Sequence, residues 1–340
     1  MNESDRTEAP APDAAGAPYH GLTPERVLDA LEAVGLYGDG RLLALNSYEN
    51  RVYQAGLDDG TMRVLKFYRP RRWSDAQILE EHAFVAELAE HEIPAVAPLA
   101  LDGRTLHEHA GYRFAVYPRR GGRAPELEDP ATLERIGRFV GRIHAVGATR
   151  PFVHRPALDV ASFGDEPRAY LLDGDWLPAE LREAWRTAAD FALAGVRRAF
   201  DRAGDVRTLR LHGDCHAGNL LWTDTGAHVV DFDDARSGVA LQDLWMLLSG
   251  ERRDMTGQLR DVLAGYEDFA ELDPRELHLL EALRTLRLLH YAAWIARRWD
   301  DPAFPAAFPW FGSQKYWQDR ILELREQIAL MEEPPLELHR

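Results

Sequence analysis

Cysteine is almost absent from this chain of 340 residues, with Cys215 standing alone. An intramolecular disulfide is thereby excluded, and a reducing compartment is the expectation. Lysine is nearly as scarce: Lys66 and Lys315 are the only two among 40 basic residues, so arginine carries almost all the positive charge. No apolar run approaches the roughly 20 residues that a membrane span needs. The opening stretch, MNESDRTEAPAPDAAGAPYHG, is rich in Pro and Ala and lacks the apolar centre of a signal peptide. A soluble, cytoplasmic protein without a membrane partner is expected. Positive charge is in deficit overall, with a formal net charge of -16. That balance argues against nucleic acid or an anionic bilayer as partner. Internal repeats are not apparent.

The informative stretch is Leu211 to Ala235, LHGDCHAGNLLWTDTGAHVVDFDDA. Leu220 to Trp222 lead into a Thr-Asp-Thr-Gly turn, after which His228 to Val230 resume an extended pattern, which predicts a short hairpin. The hairpin brings Asp214, Asn219 and Asp231 to one end of a sheet. Phosphoryl transfer needs few parts, because its transition state is loose and catalysis is mostly positioning and charge neutralisation. One carboxylate must orient the acceptor hydroxyl, a role for Asp214. A carboxamide and a second carboxylate must hold magnesium, and Asn219 and Asp231 supply the hard oxygens that this ion prefers. His212, Cys215 and His216 also suggest a zinc cluster, but no second Cys completes a common structural site. A solvated acidic turn is the other plain reading, opposed by the apolar run before Asp231.

The pattern HGD-x-H-x-x-N, followed by two hydrophobic residues and D-F-D, resembles the catalytic and metal loops of aminoglycoside-phosphotransferase-like kinases. In those enzymes His-Gly-Asp stands where protein kinases have His-Arg-Asp. The rest of the chain is consistent with that resemblance. Residues 1–22 are expected to be a disordered tail, followed by an amphipathic helix from Thr23 through Val34. Strands are expected between Leu42 and Tyr68, with a hairpin turn at Asp58-Asp59-Gly60. The segment Asn46 to Asn50 lies where a kinase fold places its nucleotide-covering loop. It contains no glycine, so Ser47 is the candidate for direct phosphate contact, against the alternative of an ordinary polar turn. Lys66, a lysine kept inside the apolar strand VLKF, suits a compact ammonium aimed at the α- and β-phosphates.

A capping box at Ser74 and Gln77 predicts a helix from Ser74 to Glu90. Glu81 shares its apolar face with Phe84, Val85 and Leu88 and is the expected ion partner of Lys66, with Glu80 as runner-up. Further strands end near Pro118, and Gly121-Gly122 mark a hinge. Adenine would meet the backbone around Ala115 to Tyr117. An N-lobe over 23–118 and a C-lobe over 119–340 follow. The C-lobe is mostly helical, including Leu277 to Trp299, and its aromatic-rich stretches read as packing under a Pro-rich loop, with a substrate surface as the alternative. Asp243 is placed to brace the catalytic loop through backbone N–H groups.

NSYENRVY, VLKFYRPRRWSDAQILEEH, RLHGDCHAGN, DFDDARSG and ALQDLWML together resemble one subgroup, the bacterial stress response kinase A proteins, from Leu42 to the PPLEL tail. This resemblance implies an α+β, bilobal, protein kinase-like fold with a small β-rich N-lobe, an αC-type helix and a larger helical C-lobe. It further implies a monomeric, cytoplasmic serine/threonine protein kinase that uses ATP and Mg2+, acts on a protein hydroxyl including its own, and serves stress survival. Asp214 and Asp231 would be catalytic, with Ser47, Lys66, Glu81 and Tyr117 around the nucleotide. The residues alone reach only ATP-dependent transfer to a hydroxyl. A small-molecule kinase acting on an aminoglycoside, sugar, choline or homoserine, or an ATP-binding regulator without turnover, would share the constellation. An acidic surface would favour basic acceptor segments.

Overall fold

The computed structural model describes residues 17–224 and 226–338. Five strands, β1 (Gly38–Leu45), β2 (Arg51–Leu57), β3 (Met62–Phe67), β4 (His107–His109) and β5 (Tyr112–Pro118), form an antiparallel sheet in the order β1-β2-β3-β5-β4. The Asp58-Asp59-Gly60 turn joins β2 to β3, with Gly60 at φ 81° where a side chain would be strained. β1 starts earlier than the alternation suggests. A register shift between Gly38 and Leu42 breaks the two-residue period there and hides the first residues from pattern reading.

Helix α1 (Pro24–Glu32) opens with Thr23 as its cap and buries Val27, Ala30 and Leu31. The expected tail needs correction. Residues 1–16 lie outside the described residues, but residues 17–22 are packed: Tyr19 stacks on Tyr112 at 6.4 Å, with the Arg51 guanidinium 4.4 Å over its ring, and Leu22 is buried. Two apolar anchors at the end of a Pro- and Ala-rich stretch are enough to tie it down. Helix α2 (Asp75–Glu90) carries the predicted capping box at Ser74 and Gln77. Its Phe84 meets Phe152 and Phe232 edge-on, which joins this helix to the core of the C-terminal part. Burying such a ring contributes about 2 to 3 kcal/mol.

The remainder is α3 (Pro130–Gly147), α4 (Glu166–Asp173), α5 (Ala179–Ala203), β6 (Leu209–Leu211), β7 (Leu220–Thr223), β8 (Gly226–Val229), β9 (Arg236–Gly238), α6 (Leu241–Trp245), α7 (Arg252–Tyr266), α8 (Leu280–Ala296), α9 (Ala303–Ala307) and α10 (Gln314–Leu330). β6 pairs with β9 and β7 with β8, so one short ribbon closes the two ends of the Leu211 to Ala235 stretch and a second lies within it. The helix expected from Leu277 begins as α8 at Leu280, after a 3-10 turn over Pro274–Leu279. The whole is an α+β fold with a β-rich N-terminal part and a helical C-terminal part. No helix among the described residues is long and apolar enough to cross a membrane.

Candidate active site

After β6 the chain turns sharply at Gly213, with φ 85°. A Cβ there would overlap the carbonyl of Asp234, so only glycine can sit between His212 and Asp214. His212 holds the loop from inside. Its Nε2–H donates to the Val230 carbonyl at 2.9 Å, and its Nδ1 accepts from the Asp214 backbone N–H at 3.3 Å. Both ring nitrogens are committed, which removes His212 from any zinc site. Asp243 braces the loop as expected, accepting the backbone N–H groups of His212 and Gly213.

Asp214 and Asn219 line the same cleft as Asp231. The Asn219 side-chain amide N–H donates to the Asp214 carbonyl at 2.9 Å, and the Asn219 backbone carbonyl accepts from Val230 N–H at 3.0 Å, which sets the hairpin's register against the loop. Burial pushes the Asp214 carboxyl up, but His216 at 3.5 Å and Arg287 at 2.8 Å more than offset this and hold it below the usual carboxylate range. Asp231 adopts the left-handed conformation, φ 61° and ψ 63°, with its side chain 55% exposed. A non-glycine residue so placed stores of order 1 kcal/mol of strain, and Asp tolerates it better than most.

Lys66 is buried, and its expected partner needs correction. Its ammonium lies 3.0 Å from both Asp231 and Asp233, whereas Glu81 has its nearest ion partner in Arg155 at 3.8 Å. Burial opposes the lysine's charge, and the fields of Asp231, Asp233 and Glu81 overcome it and raise its pKa. Burial also pushes the Glu81 carboxyl up to about 7, against the pull of Lys66 and Arg155. Asp233 is drawn well below the usual range, its burial outweighed by Arg72 and Lys66. Glu80 is engaged elsewhere, accepting the backbone N–H groups of Val153, His154 and Arg155. Ser47 spends its hydroxyl on the Asn50 carbonyl at 2.9 Å, which shapes the loop over the cleft. Tyr117 lines the cleft from β5, its hydroxyl 3.0 Å from that of Tyr68.

The cleft has a volume of about 720 Å³. Leu45, Val52, Val64, Val96, Leu221 and Val230 make one half apolar, and Tyr48, Arg287, His290, Tyr291, Trp294 and Phe308 line the other. The loop of residues 46–50 is anchored across the cleft. Trp294 Nε1 donates to Glu49 at 2.6 Å, Arg298 pairs with Glu49, Tyr48 packs on Phe308, and Arg51 and Arg69 both hold Asp301. The aromatic-rich segment therefore packs against this loop. Sequence reasoning missed Arg72, paired with Asp233 and Asp234, and Arg287. The helical spacing of Arg287, His290, Tyr291 and Trp294 along one face of α8 was the available signal.

A divalent cation fits the residues present. The Asn219 amide nitrogen is spent on the loop, which leaves its oxygen for a metal, and Asp231 offers an accessible carboxylate. Among the described residues no three His, Cys, Asp or Glu side chains form a metal cluster. An ion here would take the rest of its shell from water and phosphate, as magnesium does. Such a site can orient a hydroxyl and neutralise phosphate charge, on a fold of kinase type.

That class of fold and site agrees with known proteins. Residues 41–280 match the phosphotransferase enzyme family, APH, and the chain belongs to that family. The serine/threonine protein kinase RdoA of Salmonella typhimurium is 46% identical over 320 residues, covering 94% of this chain and 97% of that protein. Stress response kinase A of Escherichia coli is 45% identical over the same shares. Among solved structures, amicoumacin kinase hAmiN in complex with AMP-PNP, Ca2+ and Ami shares the fold, with a TM-score of 0.69 at 18% identity over 93% of this chain and 96% of that one. The chain is a phosphotransferase whose homologues are stress response kinases.

Proposed function

We propose that this protein is an ATP- and Mg2+-dependent serine/threonine protein kinase. The observation that carries the reading is the convergence of Asp214, Asn219, Asp231 and the buried Lys66 on one cleft. The 46% identical relative named as a serine/threonine protein kinase supports the class of acceptor. In this reading residues 23–118 bind nucleotide and residues 119–340 supply catalysis and acceptor binding. Adenine lies in the apolar half near Ala115 to Tyr117, under the loop containing Ser47. Lys66 turns from Asp231 and Asp233 to the α- and β-phosphates, with Glu81 behind it.

Asp214 receives the acceptor hydroxyl in a hydrogen bond. As that oxygen attacks the γ-phosphorus, the bond to the β-γ bridging oxygen breaks, the proton passes to Asp214, and ADP leaves. Asn219 and Asp231 would hold Mg2+, whose charge offsets that of the phosphates.

A second reading, transfer to a small hydroxyl compound, draws on the way the Tyr48-Glu49 loop closes over the acceptor half. One experiment separates the two. The protein is incubated with labelled ATP, a generic protein substrate and a panel of aminoglycosides, sugars, choline and homoserine. Label on protein Ser or Thr, its own included, and lost in Asp214→Asn, is the expected result. Efficient small-molecule turnover without protein labelling would overturn it.

A further inference from the structure

One face of α8 walls the half of the cleft beyond Asp214. Arg287, His290, Tyr291 and Trp294, at offsets of three, four and seven residues, all line it. The Arg287 side chain is 38% exposed, with its Nη1 2.8 Å from Asp214 Oδ1. The contact is an ion pair without hydrogen-bond alignment, since that oxygen has no hydrogen-bond partner among the described residues. A guanidinium has five N–H donors in a rigid fork. Asp214 is its only ion partner among the described residues, so it keeps capacity for a second anion.

The neighbouring acids are already committed. Asp234 pairs with Arg72 and Arg236, and Glu49 with Arg69, Arg298 and the Trp294 indole. The aromatic wall is also occupied: Tyr291 stacks on Trp294 at 5.7 Å, and the Arg298 guanidinium lies 5.2 Å from the same ring. With Asp214 assigned to the hydroxyl and Asp231 to the metal, a cationic acceptor would find neither a further uncommitted carboxylate nor an open indole face on this side, and would meet Arg287. His290 adds an Nδ1 that lacks a hydrogen-bond partner, on a ring stacked 3.9 Å from Phe163.

We infer that this subsite selects a Ser or Thr hydroxyl carried beside an acidic side chain, whose carboxylate pairs with Arg287. The inference rests on the reading that Asp214 receives the hydroxyl. It reverses the expectation from net charge, because a charge of -16 describes the whole surface while the uncommitted charge at this subsite is positive. Arg287 is a specificity residue here, since a planar fork pairs with a carboxylate through two parallel bonds.

The test uses the full chain with Mg-ATP and three matched Ser peptides that carry Glu, Gln or Lys beside the acceptor. A parallel set of small alcohols comprises glycerate, glycerol and choline. Wild-type kcat/KM should favour the Glu peptide over the Gln peptide by about 10- to 100-fold, the range of a charge-assisted pair. Arg287→Gln should bring that ratio close to one, mainly through KM, and Arg287→Lys should retain part of it. A half-exposed site should tolerate both variants, and thermal unfolding checks that they fold. Equal or reversed preference in the wild type, a ratio unchanged in Arg287→Gln, or no turnover of any acidic acceptor would overturn the inference. Turnover of glycerate over glycerol and choline with no peptide phosphorylated would remove the protein-kinase reading and leave acid selection standing.

Discussion

Asp243 accepts the backbone N–H of His212 at 2.8 Å through one carboxylate oxygen, while its other oxygen takes that of Gly213 at 2.9 Å. Behind it, His144 Nε2 lies 3.1 Å from the same carboxylate, and His144 Nδ1 meets the Tyr266 hydroxyl at 2.9 Å. The loop carrying Asp214 is thus positioned from α6, α3 and α7 together. Asp243→Ala would leave two buried N–H groups without an acceptor, at a cost of about 3 to 5 kcal/mol. A large fall in the urea midpoint and in kcat is expected, with Asp243→Asn milder because one acceptor remains. Unaltered stability in the alanine variant would show that the brace is dispensable.

Lys66→Arg should abolish most transfer although the charge is kept. The ammonium sits buried between Asp231 and Asp233 at 3.0 Å from each, a point-charge site that a planar guanidinium cannot enter without displacing one of them. Loss of one charge clamp on a transferring phosphoryl group is worth about 100- to 1,000-fold in kcat. Steady-state kinetics with near wild-type values in this variant would reduce Lys66 to a packing role.

That Asp214, Asn219 and Asp231 meet at one cleft was legible because a hairpin is a local device: its turn chemistry and alternation set which residues come together. The Ser74–Gln77 capping box was legible for the same reason. Contacts made by tertiary placement were not. That Lys66 faces Asp233, and not Glu81, depends on how β3 sits against the 3-10 turn at Phe232–Asp234. Arg287 reaches Asp214 from a helix far along the chain, and no local pattern encodes that meeting. Tyr19 was lost in a disorder-like composition, because packing of one ring on Tyr112 is invisible in residue frequencies.

On the proposed mechanism Asp231→Ala should weaken Mg-ATP binding more than Asn219→Ala, since a carboxylate offsets the ion's charge and a carboxamide contributes only a neutral oxygen. Asp231 also occupies the left-handed region, which Ala tolerates less well, so Asp231→Asn is the control that removes charge with little added strain. Calorimetric titration of Mg-ATP should rank wild type above Asn219→Ala above Asp231→Asn. Equal affinity in Asp231→Asn and wild type would take this residue out of the metal site.

Glu276 ties a pH dependence to the same brace. Its carboxylate accepts the backbone N–H of Leu241 at 2.8 Å, at the start of the helix that carries Asp243, and it is buried with 3% of its surface exposed. Burial pushes its carboxyl from the ordinary 4.5 up to about 7. The folded state therefore binds this proton more tightly than the unfolded chain does. The resulting stability is fully present below about pH 4.5 and is lost as pH rises through about 7, by at most about 3 kcal/mol. Glu276→Gln keeps a carbonyl oxygen for Leu241 and cannot ionise. Its stability relative to wild type should rise between pH 5 and pH 8, measured by urea unfolding at each pH. Glu81, pushed up to about 7 as well, gives the wild type a second contribution of the same sign that this variant retains. A Glu276→Gln difference that stays constant across the range would mean that Glu276 does not titrate there, and that its role is confined to the Leu241 hydrogen bond.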